Sequence, residues 1–199
     1  MKKLSLLIAL VLTLASTASF AQTTSKWGIH LGTNFNKMSK AVDGADKKMA
    51  TGFDLGAKYQ LHFNSGLFLD FGLGLNYKNI KNKALGITIE RQALGIQLPV
   101  HVGYMYNIND SFAVFGSAGP YMTIGMSGKY KMTGEVSEDL YESGSGDDRF
   151  EAGLGAKVGV QFIKHIQVSL GYDFGLTELN SDSDGLKNRT LNVGVTYIF

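Results

Sequence analysis

The chain has 199 residues, enough for one domain, and no cysteine, which excludes disulfides, thiolate metal sites and lipid attachment through sulfur. Its formal charge of +2 includes Lys2 and Lys3, so the remainder is near neutral and lacks the basic stripe that nucleic acid requires. Glycine at 25, proline at 2 and aromatics at 11% suit a tightly curved sheet whose ends sit at an interface.

The first segment reads as a leader. Lys2 and Lys3 precede an apolar run from Leu4 to Leu14, and Ser19-Phe20-Ala21 offers small residues to a signal peptidase. Cleavage after Ala21 is expected, giving a signal peptide over 1–21 and a mature domain over 22–199. The apolar run is short for an anchor, and no later stretch approaches the roughly 18 apolar residues of a spanning helix. The mature chain is therefore a soluble exported protein or a membrane barrel.

The first strand alternates Trp27, Ile29, Leu31, Thr33 and Phe35 against Gly28, His30, Gly32 and Asn34. A polar segment covers about Asn36 to Ala50. The second strand sets Phe53, Leu55, Ala57, Tyr59 and Leu61 against Asp54, Gly56, Lys58 and Gln60. After a short turn near Asn64, the third sets Leu67, Leu69, Phe71, Leu73, Leu75 and Tyr77 against Asp70, Gly72, Gly74 and Asn76. A middle-length loop is expected near Lys78 to Gly86. The fourth strand runs from Ile87 to Tyr106, and its apolar parity changes between Arg91 and Leu94, which predicts a β-bulge there.

The fifth strand begins at Phe112 and is expected to turn Ser117, Gly119, Tyr121 and Thr123 inward. The longest loop covers about Ser127 to Asp148. The sixth strand sets Phe150, Leu154 and Val158 against Glu151, Gly155 and Lys157. A tight turn at Ile163 to His165 leads to the seventh, with Ile166, Leu170 and Phe174 against Gln167, Gly171 and Asp173. A polar loop over Glu178 to Asn188 precedes the eighth, where Leu191, Val193, Val195, Tyr197 and Phe199 share one face. An unpaired terminal strand would invite aggregation, so its expected partner is the first strand.

Eight strands result, with long and short connections alternating and one uncharged apolar face on most of them. The expected fold is all-β: an eight-stranded antiparallel up-and-down transmembrane β-barrel in a Gram-negative outer membrane. Even strand number puts both termini in the periplasm and the long loops outside the cell. Trp27, Tyr59, Tyr104, Tyr106, Tyr197 and Phe199 fall near periplasmic strand ends, as an aromatic girdle would. Outer-membrane lipid is one expected partner, and the loops offer a place for a protein partner.

Hairpin arithmetic sets Lys58 opposite Asp70 and Lys157 opposite Asp173, all facing inward. With His30, His101, Glu151, Asp54 and Glu90 they form a candidate polar network that plugs the barrel, read as structural packing. Pro99 and Pro120 fall at nearly the same height on neighbouring strands. Proline supplies no ladder donor, so a gap or bulge is expected near Pro99 and Gly119.

Catalytic chemistry is not evident: hydrolysis needs a nucleophile, a base and an orienting acid within reach, and no long outer loop contains histidine. Asn180, Asp182, Asp184 and Gly185 copy half of a calcium loop, but Leu191 stands where the twelfth-position glutamate belongs. Asp139, Glu142, Asp147 and Asp148 read as a solvated acidic loop. No cofactor or metal is expected.

Leu94-Gly95-Ile96-Gln97-Leu98-Pro99-Val100, Ala118-Gly119-Pro120-Tyr121 and Gly171-Tyr172-Asp173-Phe174-Gly175-Leu176-Thr177 resemble the outer-membrane β-barrel domain family of Bacteroidota, the PorT-like group, with an OmpX/OmpA-like eight-stranded barrel. The ending Val195-Thr196-Tyr197-Ile198-Phe199 looks like the terminal signal read by barrel-insertion machinery. The resemblance covers nearly all of the mature chain and implies no shared catalytic residues. PorT itself is associated with the type IX secretion system. The expected function is non-enzymatic, either membrane-structural or partner-binding, with a small pore or ligand-binding barrel as the alternative.

Overall fold

The computed structural model describes residues 23–38, 45–84, 87–132, 138–139, 149–177 and 187–199. The leader and the calcium-loop-like segment lie outside the described residues, as do Glu142, Asp147 and Asp148. The strands are β1 (Thr23–Met38), β2 (Ala45–Lys48), β3 (Ala50–Phe63), β4 (Leu67–Ala84), β5 (Ile87–Asn109), β6 (Phe112–Met132), β7 (Glu138–Asp139), β8 (Phe150–Phe162), β9 (Ile166–Gly175) and β10 (Asn188–Ile198).

Eight of these form a closed antiparallel wall in the order β1, β3, β4, β5, β6, β8, β9, β10. Closure is made by β1 and β10, paired from Gly28↔Ile198 to Met38↔Asn188. The terminal strand thus meets the first one, and neither keeps a free edge along that stretch. The period-two pattern explains the wall: Trp27, Leu31, Leu55, Leu73, Val158, Leu170 and Val195 are all exposed on its outside. In water such a belt would drive aggregation, and in a bilayer it is the required surface.

One end of the wall holds the short turns and the chain termini, here called the turn end. The opposite loop end is uneven. β5 has 23 residues and β6 has 21, whereas β9 has 10 and β10 has 11. A tilted span needs about 9–11. The β4–β5–β6 sheet therefore rises past the apolar belt, with β2 added to β4 and β7 to β6.

This rise corrects two sequence expectations. The segment near Lys78 to Gly86 is not a loop for most of its length, since β4 and β5 stay paired to Ala84↔Ile87. Likewise β6 continues to Met132. Beyond the lipid no face must be apolar, so the alternation stops while the backbone ladder continues. The parity change at Arg91 to Leu94 marks that exit, because β4–β5 pairing runs unbroken through it. The bulge lies on β6 instead: Leu94 pairs Ser127 and Gly95 pairs Gly125, which leaves Met126 as the extra residue.

The hairpin registers are also displaced. Gln60, not Lys58, stands opposite Asp70, and Gly155, not Lys157, stands opposite Asp173. Turn geometry explains both shifts. The β3–β4 turn closes on Gly66 at φ 86°, and the β8–β9 turn on Ile163 and Lys164 at φ 51° and 64°. Moving a turn centre by one residue moves each cross-strand partner by two.

Pairing between β5 and β6 is interrupted between Pro99↔Tyr121 and Val102↔Ala118. Pairing between β4 and β5 is interrupted between Phe71↔Val100 and Gly74↔Gln97. The expected gap near Pro99 and Gly119 is present, and a second one flanks the other side of β5. Pro120 and Pro99 lack the N–H groups a continuous ladder would use.

Candidate functional site

The interior is built in layers, because inward residues alternate between bulky polar side chains and glycine. At the turn end Phe68, Met105, Ala113 and Phe115 form an apolar cluster. Phe68 and Phe115 meet edge to face at 6.2 Å between ring centres, and His62 stacks on Phe68 at 5.4 Å. Gly103 makes room for the first ring, since a Cβ there would lie 2.6 Å from Phe68 Cε1. Above the rings sits a glutamine layer: Gln167 Nε2 donates to Gln60 at 3.1 Å and to Gln161 at 3.0 Å.

The next layer holds most of the residues singled out from sequence. Lys58 Nζ lies 3.0 Å from Asp70 Oδ2. The pair is diagonal rather than directly opposite, a reach that the long lysine stem allows. His30 Nε2 lies 3.5 Å from Asp54 Oδ1, and His30 Nδ1 lies 2.8 Å from Thr196 Oγ1. Asp173 Oδ2 accepts from Asn192 at 2.9 Å and from Gln97 at 3.4 Å. Lys157 forms no ion pair with Asp173 among the described residues; it lines a central cavity of about 80 Å³ together with Asp54, His101 and Asp173. His101 Nε2, Asp70 Oδ1 and Asn192 Oδ1 are buried without a protein partner. Polar groups around a space of this size suit ordered water.

Toward the loop end Glu151 collects four bonds. Lys78 Nζ approaches its two oxygens at 2.8 and 2.9 Å, Tyr121 Oη donates at 2.8 Å, and Asn188 Nδ2 donates at 2.6 Å. Tyr121 faces inward as its strand parity predicts, whereas Lys78 and Asn188 fall at the ends of segments expected to be loops; inward parity is the signal that finds Lys78. Beyond them Asn34, Asn36 and Thr190 are fully buried and joined by hydrogen bonds.

Glu90 does not belong to this network. It shares the outward parity of Leu94 and Ile96 and pairs Lys81 at 2.7 Å on the raised sheet. The hydrogen bond from Lys81 holds its carboxyl below the usual value.

Thr196, His30 and Asp54 have the residue types of a nucleophile, base and acid. Thr196 is only 1% exposed, so the hydroxyl has no open face for a substrate. No cluster of three or more metal-ligating side chains occurs among the described residues. The arrangement joins strands and fills a narrow tube.

The outer surface carries aromatic residues at the turn end. Trp27 packs on Tyr59 at 4.6 Å and Tyr197 on Phe199 at 5.3 Å, with Tyr104 and Tyr106 exposed. These are the rings expected from the sequence to form a girdle there. A second set marks the loop end, with Phe53 on Tyr77 at 5.2 Å and Tyr172 on Phe174 at 4.6 Å.

Neisserial surface protein A has the same fold with a TM-score of 0.50 at 14% identity, over 88% of this chain and 99% of that one. Ail of Yersinia pestis, solved with the heparin analogue sucrose octasulfate, gives 0.47 at 18% identity over 88% and 99% of the two chains. OprG of Pseudomonas aeruginosa gives 0.47 at 12% over 89% and 97%. No curated protein matches the chain. The family model for the outer membrane protein beta-barrel domain matches residues 7–199. The chain belongs to the outer membrane protein beta-barrel domain family and is a bacterial outer-membrane barrel.

Proposed function

We propose that this protein is a non-conducting outer-membrane barrel that presents its raised loop-end sheet to a partner outside the cell. The observation that carries this reading is the filled interior: the Phe68–Phe115 rings, the glutamine layer and the Glu151 cluster cross the tube at three levels. A tube filled in this way has no use for a sheet that rises on one side only, unless the sheet serves the surface. The non-enzymatic reading draws on the burial of Thr196, whose hydroxyl beside His30 and Asp54 has no open face.

In this reading residues 1–21 are removed on export, the termini and short turns are periplasmic, and the β10 strand is read by the insertion machinery. A PorT-like accessory role in secretion is a specific version of it, which the family resemblance alone does not imply. The central cavity favours one second reading, a barrel that holds a small polar ligand beside Lys157.

Three measurements separate these readings. Planar-bilayer recordings of the refolded protein should show no stepwise conductance, and regular channel events would overturn the sealed-tube reading. The cysteine-free chain permits clean labelling of Lys131→Cys at the loop end and Ser65→Cys at the turn end; an impermeant maleimide should reach only the first in intact cells. Gentle extraction followed by mass spectrometry should recover a stoichiometric protein partner. A lone barrel would remove the accessory role.

A further inference from the structure

The turn end of the barrel is a blind cup. Its floor is the apolar cluster, met at Met105 and Ala113, and the rings of Phe68 and Phe115 close the tube behind it. The cup has a volume of about 610 Å³ and is open beside the short turns. That volume falls within the range of about 300–1,000 Å³ of ordinary ligand sites.

Two cations share this cup without a counter-charge. Lys26 has the inward parity of His30 on β1 and is half-buried at the wall. Lys164 lines the same space from the β8–β9 turn, near enough for the two ammonium groups to repel each other. Neither makes an ion pair among the described residues. Asp110 is the one carboxylate lining the cup among those residues, so the lining keeps a net positive charge. The backbone at Lys164 is a second, independent sign. Its φ of 64° follows 51° at Ile163, two left-handed residues in succession where a tight hairpin ordinarily takes Asn-Gly. That conformation costs a lysine more than a glycine, and strain of this kind gathers at functional sites. Ile163 N donates to Ser111 O at 2.7 Å, which ties the strained turn to the β5–β6 turn.

We propose that the cup binds the carboxyl end of a short peptide. The terminal carboxylate lies between Lys26 and Lys164, where it offsets their mutual repulsion. Asn107, Asn109 and Gln161 line the cup with amide groups that both donate and accept, as peptide bonds require. Met105 and Ala113 at the floor, with Phe63 and Phe112 at the rim, offer apolar surface to the peptide's side chains. A bare inorganic anion would use the two cations and leave the amides and the apolar floor without a partner. Placing the cup in the periplasm rests on the orientation proposed above; the binding chemistry does not.

The test uses the refolded mature protein in non-ionic micelles, with binding followed by NMR at the amides of Lys26, Gln161 and Lys164. The probes are N-acetylated tripeptides ending in L-alanine or D-alanine, each as the free acid and as the C-terminal amide, with inorganic phosphate as the simple anion. At least one acid should bind about tenfold more tightly than its amide. The preferred ending tells a protein tail from a cell-wall peptide. The double variant K26Q/K164Q should weaken binding of the acid about tenfold while keeping heat-modifiable migration. Lys164→Gly should weaken it as well, yet raise the urea midpoint of unfolding, because glycine relieves the left-handed strain. Equal binding of acid and amide, unchanged binding in the double variant, or phosphate bound as tightly as the acid would each overturn the proposal. So would the absence of any shift with every probe up to about 10 mM. Labelling of Ser65→Cys by the impermeant maleimide in intact cells would overturn the periplasmic placement alone.

Discussion

Lys78 on β4 and Glu151 on β8 meet across the interior at 2.8 Å, 73 positions apart in the chain. No strand pairing joins their strands directly, so this bond braces the tube through its middle. Both side chains are nearly buried, at 5% and 11% exposure. Removing one partner should therefore strand a charge. Lys78→Met or Glu151→Leu alone should cost about 3–5 kcal/mol in a urea or guanidinium titration. The double variant should recover much of that loss, and a double-mutant cycle with no coupling would contradict the brace.

The apolar turn-end cluster makes a separate prediction. Phe68 is 1% exposed and packs on Phe115. Phe68→Ala should lower stability by about 3–5 kcal/mol by leaving a cavity. Gly103→Leu should also destabilise, because the added side chain would enter the space of the Phe68 ring. Thermal loss of the compact gel form reports both changes.

The proline seam should be visible in hydrogen exchange. Amides from Val100 to Val102 and at Gly119 should exchange faster than those of Val158 and Val160, whose ladders are continuous. Pro120→Val supplies the absent donor opposite Val100 and should slow exchange there, with a gain of about 0.5–1.5 kcal/mol. Unaltered exchange would mean that strand curvature, not the missing N–H, keeps the ladder open.

Glu90 supplies a pH-dependent prediction outside the membrane belt. Lys81 holds its carboxyl below the ordinary carboxylate range, so the ionised form is favoured in the folded protein. The contribution of the pair is complete above the unfolded carboxylate value and is lost as pH falls through the lower folded one. A carboxyl-carbon NMR titration should place its midpoint below that of a free glutamate. Lys81→Met should return it toward the ordinary value.

The alternating faces from Trp27 to Phe35 and from Leu191 to Phe199 were enough to define the membrane wall and its closure. Period-two patterning reports directly which side meets lipid. The same logic identified the inward side chains at His30, Lys58, Asp70, His101, Glu151, Lys157 and Asp173. It failed at the loop end, where β4, β5 and β6 leave the lipid and no solvent enforces alternation. Glu90 was misplaced inward for that reason.

Contacts between inward residues depended on geometry that no local pattern carries. The turns at Gly66 and at Ile163–Lys164 set registers two residues away from simple hairpin arithmetic, separating Lys157 from Asp173. Lys78 and Glu151 lie on strands that are not neighbours, and only closure and strand tilt bring them together. Sequence alone determined the fold class and which face each residue of the apolar belt takes, because the environment on each side acts residue by residue. Tertiary structure decided the partners within the tube, because those depend on how eight strands are staggered around one axis.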